Sequence, residues 1–346
     1  MSRSGREWDE DDVRVRPGRR KSRPRSKDRP SFDEAVAGTV ITVDRGRFTV
    51  AMDDGSEILA VKARELGRKG VVVGDHVGLV STPRPGTESL GRIVRVDERS
   101  TMLRRTADDD DPVERVVVAN ADQIGIVTAL ADPEPRFGFI DRTLVAAYDA
   151  RLQPLLILTK ADLAPAQPVI DAYAALDVPA VTIARGAGKQ PAPGDLETLL
   201  GHLTDQVTVL IGHSGVGKST LVNALVPGAD RSVGRVNVVT GRGRHTSTSA
   251  LALPLPRGGW IIDTPGIRSF GLAHVSADSV IAAFDDLAGG LAACPRGCTH
   301  AEAECGLDAF VAGDPHLVAR LESLRRLLTS NHADDADRGN HAEAAD

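Results

Sequence analysis

A chain of 346 residues, 41% of them hydrophobic, is too long for one ordinary core and long enough for two or three. No apolar run approaches the roughly 18 residues that a membrane-spanning helix needs, and the opening stretch "MSRSGREWDEDDVRVRPGRRKSRPRSKDRP" lacks the apolar segment of a signal peptide, so a soluble, cytoplasmic protein with no membrane partner is expected. The net charge of -6 is unevenly spread: residues 1 to 105 carry 23 Lys and Arg against 17 Asp and Glu, the remainder 19 against 31, which suggests either a polyanionic partner for the N-terminal part alone or a solvated basic tail.

Residues 1–35, rich in Arg, Asp, Ser and Pro, have almost nothing to bury and are expected to be a disordered basic tail. From 36 to 106 the texture changes to short alternating runs, "GTVITVD", "RFTVAMD", "SEILAVKA", "DHVGLVST" and "GRIVRVDE", separated by Gly, Asp and Pro turns. Period-two alternation in runs this short predicts half-buried antiparallel strands, and five of them suit a small barrel of the oligonucleotide-binding (OB) type. Another Greek-key or SH3-like barrel would show the same pattern.

The acidic stretch "ADDDDP", residues 107–112, marks a boundary. Over 113–271 apolar strands such as "ADQIGIVTA", "PLLILTK", "PAVTIA" and "VTVLIG" alternate with amphipathic helices such as "FIDRTLVAAYDA", "DLETLLGHL" and "STLVNALV", the pattern of a doubly wound α/β domain around a parallel sheet. Ligands of such sheets bind at the carboxyl ends of the strands. Residues 272–330 read as a mainly helical module around a cysteine cluster, and the polar 331–346 as a second disordered tail.

"GHSGVGKS", Gly212 to Ser219, fits the phosphate-loop pattern GxxxxGK[ST] and lies between a strand and a helix. Gly212, Gly215 and Gly217 permit the tight turn that aims successive N–H groups of His213, Ser214 and Val216 at phosphate oxygens. Lys218 is placed to reach the β and γ phosphates, Ser219 to offer its hydroxyl to Mg2+, and Thr220 follows in the helix N-terminus, whose partial charge is positive. Downstream, "WIIDTPG" supplies Asp263 at a strand end for the magnesium shell and Gly266 for the γ phosphate. Between them "TGRGRHTSTS" sits where a first switch belongs, with Thr246, or else Ser247, as the hydroxyl completing the magnesium shell.

The phosphate loop does not choose the base. Guanine offers a ring N–H and an amine on one edge, which a carboxylate accepts together, and a Lys two residues earlier can lay its stem on the purine face. Lys218 is the last lysine in the chain, so no Lys-x-Asp follows the phosphate loop. Upstream there is one, within "LTKAD": Thr159, Lys160 and Asp162 after the apolar run "PLLIL". A GTP-binding reading therefore requires the base reader to precede the phosphate loop.

Cys294, Cys298, His300 and Cys305, from "CPRGCTHAEAEC", are the chain's three cysteines and one of its histidines. Three thiolates and an imidazole make a full tetrahedral set for one structural Zn2+ with no open position; simple burial is the alternative. Ile267 stands directly after "DTPG", where many GTPases have a water-orienting Gln, so intrinsic hydrolysis is expected to be slow, and His245 in the switch is the best internal catalytic candidate.

With "TKAD" before "GHSGVGKST", then "GRHTST", "DTPG" and the cysteine and histidine cluster, the chain resembles the circularly permuted, RsgA-like (YjeQ-like) small-ribosomal-subunit biogenesis GTPases over about residues 36 to 330. The resemblance implies an OB-like barrel, a permuted GTPase domain and a C-terminal zinc module. It also implies GTP hydrolysis in late small-subunit assembly, stimulated by the ribosome, with the small subunit and rRNA as partners and the protein a monomer. It supports His245 and makes Ala184, in "TIAR", the counterpart of a second base-contact motif. Thr159 departs from the Asn usual in that family, and the cysteine spacings are tighter. An RNA-binding assembly scaffold with a fixed nucleotide and little turnover, or a P-loop ATPase or kinase that leaves "TKAD" unexplained, remain alternatives from the residues alone.

Overall fold

The computed structural model describes residues 34–67, 70–80, 89–105, 115–186, 188, 190–228, 250–264, 275–300 and 305–330. His245, Thr246 and Gly266 lie outside the described residues, as do almost all of the N-terminal tail and all of residues 331–346.

The alternating runs near the N-terminus become β1 (Val36–Asp44), β2 (Arg47–Met52), β3 (Glu57–Lys62), β4 (His76–Val80) and β5 (Gly91–Val96). They pair in the order β1-β2-β3-β5-β4, and β4 returns to β1, closing the barrel. β3 and β5 run parallel, the other neighbours antiparallel, which gives the five-stranded Greek-key barrel of the OB type. The inward positions of each alternation, Val40, Phe48, Val50, Ala60, Val77, Leu79 and Ile93, form its core. A register shift between Val40 and Thr42 bends β1, whose far end pairs Thr42 with Leu251 of the following domain.

A short antiparallel ribbon, β6 (Met102–Arg105) and β7 (Arg115–Ala119), brackets the acidic stretch. It is tied to the barrel by the fully buried Asp75, which accepts from Arg99 Nε at 2.6 Å and Nη2 at 2.8 Å, and by Asn120, whose Nδ2 donates to the Gly74 carbonyl at 2.9 Å.

Next come β8 (Gln123–Ala129), α1 (Phe137–Asp149), β9 (Gln153–Thr159), α2 (Gln167–Tyr173), β10 (Ala180–Ile183), α3 (Pro193–Leu203), β11 (Val207–Ile211), α4 (Lys218–Leu225), β12 (Leu251–Pro254) and β13 (Trp260–Asp263). The strand order is β10-β9-β8-β11-β13-β12, all parallel except β12 against β13. Every residue of β8 is buried, as a strand covered on both faces must be. Ile124, Ile126, Leu156, Leu158, Val209 and Ile211 face one helical layer with α1 and α2; Val127, Leu155, Ile157 and Leu210 face the other with α3 and α4. The carboxyl ends of β9, β11 and β13 thus bring Thr159, Gly212 and Asp263 to one edge.

The C-terminal part holds α5 (Ala277–Ile281), α6 (Ala288–Leu291), α7 (Gly306–Val311) and α8 (Pro315–Ser330). The Ser276 side chain accepts from the Ser279 N–H at 3.2 Å and so caps α5. Leu321, Leu324, Leu327 and Leu328 make the apolar stripe of α8, and they join the same hydrophobic cluster as Leu144 and Ile140 of α1. The module therefore shares its core with the α/β domain. Arg326 of α8 pairs with the buried Asp141 of α1 at 3.3 Å, its guanidinium 4.9 Å from the centre of the Tyr173 ring. Among the described residues, no helix is long and apolar enough to cross a membrane.

Candidate nucleotide site and metal centre

β11 delivers the chain into the phosphate loop at Gly212, where a Cβ would stand 2.5 Å from the Val127 carbonyl oxygen, so a side chain is excluded by close approach. Gly215 and Gly217 take φ of +84° and +91°, a conformation that L side chains rarely adopt, and Gly217 is the N-cap of α4. Val216 between them is buried and anchors the turn, whereas Ser214 is exposed. The His213 ring packs against Phe139 of α1 with centroids 4.1 Å apart. Lys218, Ser219 and Thr220 form the first turn of α4 and are half-buried. A cavity of about 280 Å³ beside the loop is lined by Thr128, Pro133, Glu134, Arg136, His213 and Val216, among others.

Lys218 Nζ donates to Asp263 Oδ1 at 2.7 Å and to the Thr264 carbonyl oxygen, in a pair whose side chains are 11% and 4% exposed. An ammonium already lies against the buried carboxylate expected to help hold a cation. Thr264, which the sequence reading passed over, donates its hydroxyl to the Leu210 carbonyl at 2.9 Å and fastens the end of β13 to β11.

The "TKAD" segment stands beside this loop. Thr159 is buried at the end of β9, and its Oγ1 lies 2.5 Å from the Val216 carbonyl and 3.2 Å from that of Thr128. Lys160, in a left-handed conformation with φ +57°, donates from Nζ to the Asp132 carbonyl. Asp162 accepts at both oxygens: Oδ1 from the Arg185 N–H at 3.0 Å, Oδ2 from Arg185 Nε at 3.0 Å. These bonds, the backbone N–H foremost, hold the Asp162 carboxyl below the usual carboxylate range. Ala184 sits just past β10 with its N–H donated to Asp195 Oδ2 at 2.8 Å; the residue that reaches Asp162 is its neighbour Arg185, which no motif singled out.

The chain has relatives among known proteins. Residues 96–273 match the family described as RsgA GTPase. A Pseudomonas aeruginosa protein named small ribosomal subunit biogenesis GTPase RsgA is 40% identical over 268 residues, 75% of this chain and 76% of its own length. This chain belongs to the RsgA GTPase family. An RsgA from Ectopseudomonas mendocina is likewise 40% identical, over 77% of this chain and 76% of that protein. Among solved structures, YjeQ from Thermotoga maritima is similar with a TM-score of 0.60 at 24% identity, over 86% of this chain and 99% of that one. YloQ, described as a circularly permuted GTPase, is similar with a TM-score of 0.60 at 19% identity, over 86% of this chain and 95% of that one. At those identities the two structures speak for the fold. The RsgA resemblance expected from the motif order is thus the family found.

In this RsgA chain the second constellation is equally compact. The ligand atoms of Cys294, Cys298, His300 and Cys305 all lie within 4.8 Å of one another. Cys294 Sγ and Cys305 Sγ are 3.9 Å apart, and each is 3.6 Å from His300 Nδ1. A thiolate at 2.3 Å and an imidazole at 2.0 Å from the centre of a tetrahedron stand roughly 3.5–3.8 Å from their neighbours, so Cys294, His300 and Cys305 stand at zinc spacing and Cys298 completes the donor set in chemistry. The His300 N–H points at Cys298 Sγ across 3.3 Å, as a thiolate would favour. Behind the cluster, Arg325 Nε donates to the His300 carbonyl at 2.7 Å while its Nη1 and Nη2 bind Asp308 at 2.8 Å each. That fork holds the Asp308 carboxyl below its ordinary range.

Proposed function

We propose that this GTPase acts in the assembly of the small ribosomal subunit, where docking raises an intrinsically slow GTP hydrolysis. What supports the reading is the contact of Thr159 with the phosphate loop at Val216, which joins the segment taken as the guanine reader to the loop taken as the phosphate cradle in a chain of the RsgA family. Its relatives from Pseudomonas aeruginosa and Ectopseudomonas mendocina bear the name small ribosomal subunit biogenesis GTPase RsgA.

The residues divide the work by chemistry. Asp162 accepts from the ring N–H and the amine of guanine, while the Lys160 stem flanks the purine. Ala184, its N–H held by Asp195, belongs to the wall beside the base. The N–H groups from His213 to Lys218 and the N-terminus of α4 cradle the phosphates. Lys218 exchanges Asp263 for β and γ phosphate oxygens when nucleotide binds. Ser219 and Asp263, with Thr246, would hold Mg2+, which when bound offsets the charge on those oxygens. Gly266 leaves room for a backbone N–H at the γ phosphate, and His245 orients the attacking water that Ile267 has no means to hold. Cys294, Cys298, His300 and Cys305 would hold one Zn2+, which would tie the residues after α6 to Cys305 at the start of α7.

The OB barrel is the rRNA-facing part. Phe48, the one aromatic residue between residues 36 and 105, is 5% exposed and inside the barrel core, so bases find no stacking platform there. Contacts are then made to phosphates and shape, and affinity for subunits falls with salt. The protein works as a cytoplasmic monomer.

The test is hydrolysis of GTP and of ATP by the full chain, with and without small ribosomal subunits. Slow GTP turnover that subunits accelerate, with ATP inert, is expected. GTP binding without turnover under either condition would replace this reading by the scaffold one.

A further inference from the structure

We propose that Arg185 is a positioning residue of the guanine reader, holding both carboxylate oxygens of Asp162 so that the remaining acceptor positions face the ring N–H and 2-amino group of the base. The inference rests on the reading of Asp162 as the guanine acceptor and adds a residue to it.

Asp162 follows β9 on an open loop, and its side chain is 27% exposed. A carboxylate so placed rotates freely unless something fixes it, and bidentate recognition needs its plane fixed. Arg185 does so from two directions, its own N–H on Oδ1 and its guanidinium Nε on Oδ2, each at 3.0 Å. A carboxylate has about four acceptor positions, so two are left, the number that guanine's edge can fill.

The anchor itself is built in. Arg185 bridges to Pro191 antiparallel, the Gly186 N–H donates to the Gln190 carbonyl at 2.8 Å, and the Ala192 N–H to the Ala184 carbonyl at 2.9 Å. Asp195, in the first turn of α3, holds the Ala184 N–H at 2.8 Å, and the Ala161 N–H meets the Ile183 carbonyl at 3.2 Å. The Arg185 backbone is therefore set before its side chain closes on Asp162. A plain surface ion pair needs only the guanidinium and contributes little; this one recruits the main chain as well.

The experiment is equilibrium binding of GDP and of inosine diphosphate, which lacks the 2-amino group, to the full chain and to its Arg185→Ala, Arg185→Lys and Asp162→Asn variants. Arg185→Ala is expected to weaken GDP on the order of fivefold and inosine diphosphate by less, so that the preference for GDP contracts, with Arg185→Lys recovering part of it. Equal losses for both nucleotides, no loss, or tighter GDP binding would each overturn the proposal, the last by making Arg185 a competitor of the base. Asp162→Asn separates the two levels. If it leaves the preference for GDP intact, Asp162 is not the reader; if it abolishes the preference while Arg185→Ala leaves the preference unchanged, only the role of Arg185 falls.

Discussion

The Thr159 hydroxyl reaches the main-chain carbonyl of Val216 across 2.5 Å, joining the end of β9 to the phosphate loop over a sequence separation of 57 residues. A single hydroxyl thus links the part that reads the base to the part that cradles the phosphates, at the position where the resemblance led one to expect Asn. Thr159→Val keeps the shape and removes the donor, leaving a buried carbonyl short of a partner. A loss of about 1–3 kcal/mol in GDP binding is expected, seen as a roughly 5- to 150-fold rise in Kd by fluorescence titration, with Thr159→Ser close to the parent. An unchanged Kd for Thr159→Val would mean that the link does not organise the loop.

Asp162→Asn replaces one acceptor oxygen by a donor. Facing the guanine amine, that donor repels; facing the 2-oxo group of xanthine, it bonds. GDP affinity is expected to fall at least tenfold, about 1.4 kcal/mol, and xanthosine diphosphate to gain, both measurable by competition. Parallel losses for the two nucleotides would argue against base reading at this position.

The metal cluster is testable by analysis and by stability. The purified chain is expected to carry one zinc per molecule by elemental analysis, and Cys305→Ser, at a ligand only 3% exposed, to lose it and unfold at lower temperature. Because Arg325 ties the His300 carbonyl to Asp308 at the start of α7, hydrogen exchange should quicken in α7 before it does in the barrel. Full zinc content in Cys305→Ser would remove that residue from the ligand set.

Arg326 and Asp141 join α8 to α1. Burial pushes the Asp141 carboxyl above the usual carboxylate range, and the Arg326 charge pulls it partly back. Arg326→Ala strands that carboxylate and is expected to cost roughly 1–3 kcal/mol in urea unfolding, less than for a fully enclosed pair because Arg326 is 39% exposed. Adding Asp141→Asn should restore part of the loss, since the buried charge goes with it.

His245→Ala is expected to lower subunit-stimulated turnover on the order of a hundredfold while leaving GTP affinity nearly intact, the signature of a group acting on the water alone. A stimulated rate equal to the parent's would remove His245 from the mechanism.

Several relationships are legible in the sequence itself. The phosphate loop is contiguous and its glycines answer local backbone demands, so Gly212, Gly215 and Gly217 sit as their spacing implies. The five barrel strands, and a small barrel built from them, were visible because apolar and polar residues alternate along the short runs, but the type of barrel was not. The parallel pairing of β3 with β5 that distinguishes an OB-type barrel joins segments whose alternation is alike in any small barrel. Likewise the cysteine module reads as a separate short unit, while its leucines in fact extend the core under α1.

By itself the sequence determined the chemistry available and its order: one phosphate loop, one Lys-x-Asp ahead of it, no lysine after Lys218, and a Cys and His set of tetrahedral number. Only the tertiary structure decided the partners: Thr159 with Val216, Arg185 with Asp162, Lys218 with Asp263, and Arg326 with Asp141. The reason is physical. Motifs are set by local backbone geometry and side-chain type, which a sequence displays directly, whereas those contacts depend on strand order and helix packing, to which local periodicity is blind.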